Sequence, residues 1–193
     1  METVAVALYG LDILILFAFQ VLNKDYPLFS HAVSDYGVGA TARLFKVYVV
    51  SGSIAAPLLA WQFWQADTPS YPLAIPTYLL LVALGRLGIG LFPNDLRGTP
   101  RTGRGQIHHL ATLLAFTCAF MTVAEATPLL AASISGPLAI ALVQLKHLIS
   151  LGFIAVVVTI SPPLRRFFGL AERLFLYGTA IWFLTASLTL PPL

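Results

Sequence analysis

The chain has 193 residues, 58% of them hydrophobic and 10% charged, with a formal net charge of +3 and a mean hydropathy of +0.85. Soluble domains carry about a quarter charged residues, so this composition excludes a cytosolic globular enzyme, a disordered tail and a collagen-like rod. The single cysteine, Cys118, excludes a disulfide framework and a paired-cysteine metal site, and the small, dispersed charge speaks against nucleic acid as a partner.

A spanning helix needs about 20 mostly apolar residues, and six such runs follow one another at about 3–22, 42–64, 72–92, 107–127, 137–160 and 170–190. Asn23-Lys24-Asp25-Tyr26-Pro27 closes the first run, Asp67-Thr68-Pro69 the second and Pro93-Asn94-Asp95 the third. These are residues that end helices and favour turns. Thr127-Pro128 and Gly136-Pro137 are expected to bracket a short hairpin, and Ser161-Pro162-Pro163 closes the fifth run. The remaining chain is too short for a second folded domain. The expectation is therefore all-α: one compact polytopic domain, 1–193, of six transmembrane helices.

Lys24, Arg43 and Lys46 flank the first loop, Arg97, Arg101 and Arg104 lie in the third, and Arg165, Arg166 and Arg173 flank the fifth, whereas loops two and four hold no Lys or Arg. The positive-inside rule places loops one, three and five in the cytoplasm and both termini outside. The Met1-Glu2-Thr3 start lacks the basic region of a cleaved signal peptide. Eight Arg against three Lys fit a GC-rich genome, and the expected setting is a prokaryotic plasma membrane. Trp61, Trp64, Tyr71 and Tyr78 read as an outer aromatic belt. The small residues around Gly85, Gly88 and Gly90, and around Ser51-Gly52-Ser53, read as close-packing helix faces.

Ionisable groups deep in a span are costly, so they are paired, inward-facing or functional. Asp12, Arg86, Lys146 and His147 form that set, with Asp12 expected to pair with Lys146 or Arg86, and His147 to reach the floor of a pocket. Glu125 reads as an interfacial side chain near an outer helix end. A second set gathers at the ends of loops one and three. His31 shares a face with Ser34 and Asp35 if that stretch is helical, and Asp95, His108 and His109 lie on the same side of the membrane. Three histidines with a carboxylate are a zinc ligand set, and an open position would make a hydrolytic centre. This reading takes His31, Asp95 and His108 or His109 as ligands, with Ser34 and Asp35 as catalytic groups. The competing reading has His31 and Asp35 ordering a loop, and the paired histidines opening span four at headgroup level. Residues 98–105 lack the strand and the GK[ST] ending of a nucleotide loop. Arg97, Arg101 and Arg104 before a helix start instead suit a lipid phosphate.

The stretches HAVSDYGVG after span one, GLFPNDLRG closing span three and GQIHHLATLLAF opening span four resemble the small six-span DUF998 family, which is similar in layout to the wider Frag1/DRAM/Sfk1 set. The motif positions fall on Ser34, Asp35 and Gly37, on Phe92, Pro93 and Asp95, and on His108 or His109. The resemblance implies a six-span fold with these motifs clustered and carries no established activity. Three functions follow as expectations. The first is a lipid- or partner-binding protein acting through the cytoplasmic polar cluster, its partners being membrane lipids, a second copy or another membrane protein. The others are a zinc-dependent hydrolase of lipids and a small transporter using Asp12, Arg86, Lys146 and His147.

Overall fold

The structure, a computed structural model, describes residues 2–22, 26–66, 71–96 and 98–190. They form α1 (Glu2–Leu22), α2 (Ala42–Gln65), α3 (Ala74–Leu91), α4 (Gly103–Ser133), α5 (Pro137–Thr159) and α6 (Phe168–Thr189), with no strand among the described residues. All six are long and apolar enough to cross a membrane. Short 3-10 turns occupy Val33–Gly37 and Gly39–Thr41 in loop one, and Pro162–Phe167 before α6. Each helix packs on its chain neighbours and α6 returns to α1, so the helices close into a ring, with α4 and α2 also reaching α6 across the centre.

Lipid tails are as apolar as leucine, so such helices associate through close packing and internal polar contacts rather than by escaping water. Close packing is visible where α3 crosses α4. A Cβ on Gly85 would lie 2.8 Å from the Ala111 carbonyl oxygen, and one on Gly88 would lie 2.8 Å from the Ala111 Cβ. The expected small-residue face is thus a helix contact. Between α4, α5 and α6, Phe120 stacks on Phe153 at 4.6 Å and Phe116 packs against Phe175 at 4.8 Å. A second cluster tucks loop one inside the ring, with Tyr36 stacked on Phe19 at 4.6 Å and Phe45 and Tyr48 beside them.

The helix limits depart from the sequence reading at α4, which starts four residues earlier than expected and runs through Thr127-Pro128 to Ser133. No hairpin opens at Thr127. Its hydroxyl donates to the Val123 carbonyl at 2.5 Å and accepts from Trp182 Nε1 at 3.0 Å. These bonds hold the turn beside the proline, whose missing N–H neighbouring side chains can offset in a membrane helix. Pro76 lies in the first turn of α3, where no helical N–H bond is lost. Of the expected aromatic belt, Trp61 and Trp64 are exposed at the loop-two end, while Tyr71 packs edge-on against Phe63.

Candidate functional site: a cleft at the end formed by loops one, three and five

The three sequence motifs interlock. In loop one, Asp35 folds its 3-10 turn by accepting from the Ala32 N–H at 3.1 Å. Asn94, just past α3, donates through Nδ2 to Asp35 Oδ1 at 2.9 Å and to Ser34 Oγ at 3.2 Å. Its neighbour Asp95 turns the other way and caps the approach to α4, accepting from the Thr102 N–H at 2.8 Å and the Thr102 hydroxyl at 2.9 Å. Thr102 in turn accepts from the Gly105 N–H at 3.0 Å as the N-cap of α4. These Thr102 donors, the backbone N–H foremost, hold the Asp95 carboxyl below the usual carboxylate range. Gly105 is required here because a Cβ would overlap the Asp95 carboxylate. His108 is buried, and its Nδ1 lies 2.8 Å from the Phe92 carbonyl oxygen. A carbonyl only accepts, so Nδ1 carries the proton of that bond.

Helix α6 fastens loop one from the other side. Arg173 Nη1 donates to the carbonyls of Leu28 (3.0 Å), His31 (2.7 Å) and Gly169 (2.9 Å), and its Nε donates to Gln20 Oε1 at 3.1 Å. Glu172, also buried, accepts from the Val33 N–H at 2.5 Å. Gly169 has no room for a Cβ against the Leu28 and His31 carbonyls. Arg173 is therefore a buried bracket rather than the loop-flanking charge expected from its position. Glu172 and Asn94 were outside the candidate set. The sequence signal for Glu172 is the Glu-Arg pair in the first turns of a span; Asn94 belongs to the Pro93-Asn94-Asp95 stretch, which reads as a turn.

Beside this knot lies a cleft of about 560 Å³ between α4, α5 and the start of α6. Ser34, Asp35, Asn94, Asp95, Arg101, His108, His109, Arg165 and Glu172 line its polar part; Leu113, Phe116, Phe153, Val156, Val157, Ile160 and Phe168 line its apolar part. Leu113 on α4 and Val157 and Ile160 on α5 are exposed on the outside of the bundle, so the cleft opens sideways between these helices. A smaller chamber of about 60 Å³ shares Ser34, Thr112, Phe116 and Glu172 with the cleft and extends inward to Arg86.

Arg86 forms the expected mid-bundle pair with Asp12, Nη2 to Oδ2 at 2.9 Å. Asp12 also accepts from the Ser51 hydroxyl, and Arg86 donates to the Tyr48 carbonyl and lies 4.4 Å above the Tyr48 ring. Gly52 makes the space, since a Cβ there would overlap the guanidinium. Lys146 and His147 do not join this pair. His147 is exposed on the outer side of α5 and lines neither cavity, because the rotation of that helix turns Leu142 and Ile149 inward instead. Lys146 is half-buried. Glu125 accepts from the Tyr78 hydroxyl at 3.2 Å.

The expected metal site does not assemble among the described residues, where no three His, Cys, Asp or Glu side chains meet as a ligand set. His31 precedes the 3-10 turn instead of sharing its face with Ser34 and Asp35, stacks on Tyr26 at 5.4 Å, and lies outside the cleft lining. Asp95 is engaged by Thr102, and the rings of His108 and His109 stand edge-to-face at 5.9 Å. Ser34 meets an amide donor rather than a base, so the Ser34–Asp35 pair reads as a loop fastening. Of the three arginines expected at a lipid phosphate, Arg101 lines the cleft, Arg104 is exposed away from it, and Arg97 lies outside the described residues.

A family model described as a protein of unknown function (DUF998) matches residues 5–189. The chain belongs to that family. No curated protein and no solved structure matches it.

Proposed function

We propose that this DUF998 member holds a membrane phospholipid in the cleft, with the headgroup among the polar side chains and an acyl chain against the apolar wall. One observation carries the reading: a single cleft of about 560 Å³, within the range of small-molecule sites, joins a polar end to an apolar end and opens sideways between two spanning helices. The exposed Leu113, Val157 and Ile160 give a lipid a route in from the bilayer, while the exposed Thr99, Arg101 and Arg165 open the polar end at the loops, where a headgroup would lie. Arg101 and Arg165 on the lining supply charge for a phosphate. The basic residues of loops one, three and five support a cytoplasmic leaflet for this end, with the prokaryotic plasma membrane as the setting.

A phospholipid carrying a photoreactive group in its acyl chain tests the proposal in proteoliposomes. Labelling is expected to concentrate on α4 near 109–116 and α5 near 153–160, and to fall when Val156→Trp fills the cleft. Labelling spread evenly over the outward leucines of α1, α2 and α3, unchanged by Val156→Trp, would overturn it.

A further inference from the structure

Lys146 lies nine residues after the start of α5 at Pro137, and Glu125 lies eight residues before the end of α4 at Ser133. At 1.5 Å per residue these positions are about 13 and 12 Å from the helix ends that flank loop four, so the two charges share one depth. They do not share one seam. Lys146 stands seven residues before Phe153, hence within about 20° of it around α5, and Phe153 stacks on Phe120 of α4. Lys146 thus faces the α4 side of α5, half-buried, and among the described residues no acceptor pairs with its ammonium. Glu125 stands five residues after Phe120, about 140° around α4, on the α3 side with Tyr78. Helix α4 therefore separates the two groups within one chain.

A lysine this deep needs a partner, being too far from either helix end to reach water easily. Of the carboxylates inside the helices, Asp12 and Glu172 are buried within the bundle, whereas Glu125, at the depth of Lys146, is half-exposed at its perimeter. We propose that the chain forms a parallel two-fold dimer in the bilayer around the outward side of α4, in which Lys146 of each copy pairs with Glu125 of the other. The symmetry fits. A two-fold axis along the membrane normal beside α4 places α5 of one copy next to α3 and α4 of the second, so one pairing occurs twice. The exposed Thr117 and Pro128 and the half-buried Ala124 lie on that side of α4, between the two pairs.

Energy transfer between donor- and acceptor-labelled copies in liposomes, measured over a dilution series in lipid, tests the proposal. Wild type is expected to associate reversibly. Lys146→Glu and Glu125→Lys should each weaken association about tenfold to several hundredfold, twice the free energy of a single intramembrane polar contact because the pairing occurs twice, and the double charge swap should recover it. Should the swapped chains fail to fold by circular dichroism, the neutral variants Lys146→Met and Glu125→Gln decide, each being expected to weaken association in the same direction. A wild type that stays monomeric at every dilution overturns the dimer. Unchanged association of both neutral variants, or folded single swaps without recovery in the double, overturns the pairing.

Discussion

Replacing Asp12 by asparagine keeps the shape of the side chain and a carbonyl oxygen for the Ser51 hydroxyl, and removes the charge facing Arg86 2.9 Å away. The guanidinium then keeps only the Tyr48 carbonyl and the Tyr48 ring 4.4 Å beneath it. It stays inside the bundle, only 16% exposed, at the inner end of the small chamber beside the cleft. Leaving one member of a buried ion pair unpaired costs about 3–5 kcal/mol. The surviving Tyr48 contacts place Asp12→Asn at the low end, about 3 kcal/mol, more than a hundredfold in the folding equilibrium. Arg86→Met should cost a similar amount, because it leaves the carboxylate with Ser51 alone. Adding Arg86→Met to Asp12→Asn should cost well under the sum, since each change already abolishes the same pair. Reversible unfolding in mixed detergent micelles, followed by circular dichroism, measures all three. A loss below about 0.5 kcal/mol for Asp12→Asn, or strict additivity in the double variant, would refute the pairing as a determinant of stability.

The remaining expectations concern the loop knot. Gly105→Ala pushes a Cβ into the Asp95 carboxylate and should cost about 1–2 kcal/mol through the lost cap, read from the same unfolding curves. Because the Asp95 carboxyl sits below its usual range, its stabilising effect should be complete above about pH 4, where the unfolded carboxylate is ionised, and fade as pH falls through the lower folded value. An acid titration of wild type against Asp95→Asn should show the stability difference shrinking in that window. A difference that grows on acidification contradicts the assignment. Arg173→Met frees the carbonyls of Leu28 and His31 and should speed hydrogen exchange across 28–37 with little change in α3. Glu172→Leu should speed exchange at Val33, whereas Glu172→Gln, which keeps an acceptor oxygen, should not.

The spans were legible because a bilayer asks for long apolar runs, and charged or proline-rich breaks separate them. The three motifs were legible as a group, since the alternation of loops puts them at one end. Their role was not. Asp95 and His108 carry residue types that suit metal chemistry, yet each is drawn into local backbone bonding by Thr102 and the Phe92 carbonyl. That bonding depends on where α4 begins, and it begins earlier than the apolar run indicates. The rotation of α5 was hidden for a different reason: the helix is apolar on every side, so no amphipathic stripe tells which way Lys146 and His147 turn. Arg173 reads as a loop charge because it lies close to a span end, and Glu172 beside it carries no separate signal, whereas the entry of loop one into the ring buries both. The Asp12–Arg86 pair was legible, because two opposite charges at depth have few other ways to be tolerated.

Lipid occupancy of the cleft is the central claim, and intact-mass spectrometry of the protein released from native membrane nanodiscs reads it directly. Wild type should carry one phospholipid mass that survives mild activation. Val156→Trp should lose that adduct while keeping its helical spectrum, and the double variant Arg101→Ala, Arg165→Ala should lower retention of anionic headgroups. A wild type released without a bound lipid, or an equal adduct on Val156→Trp, would contradict the account.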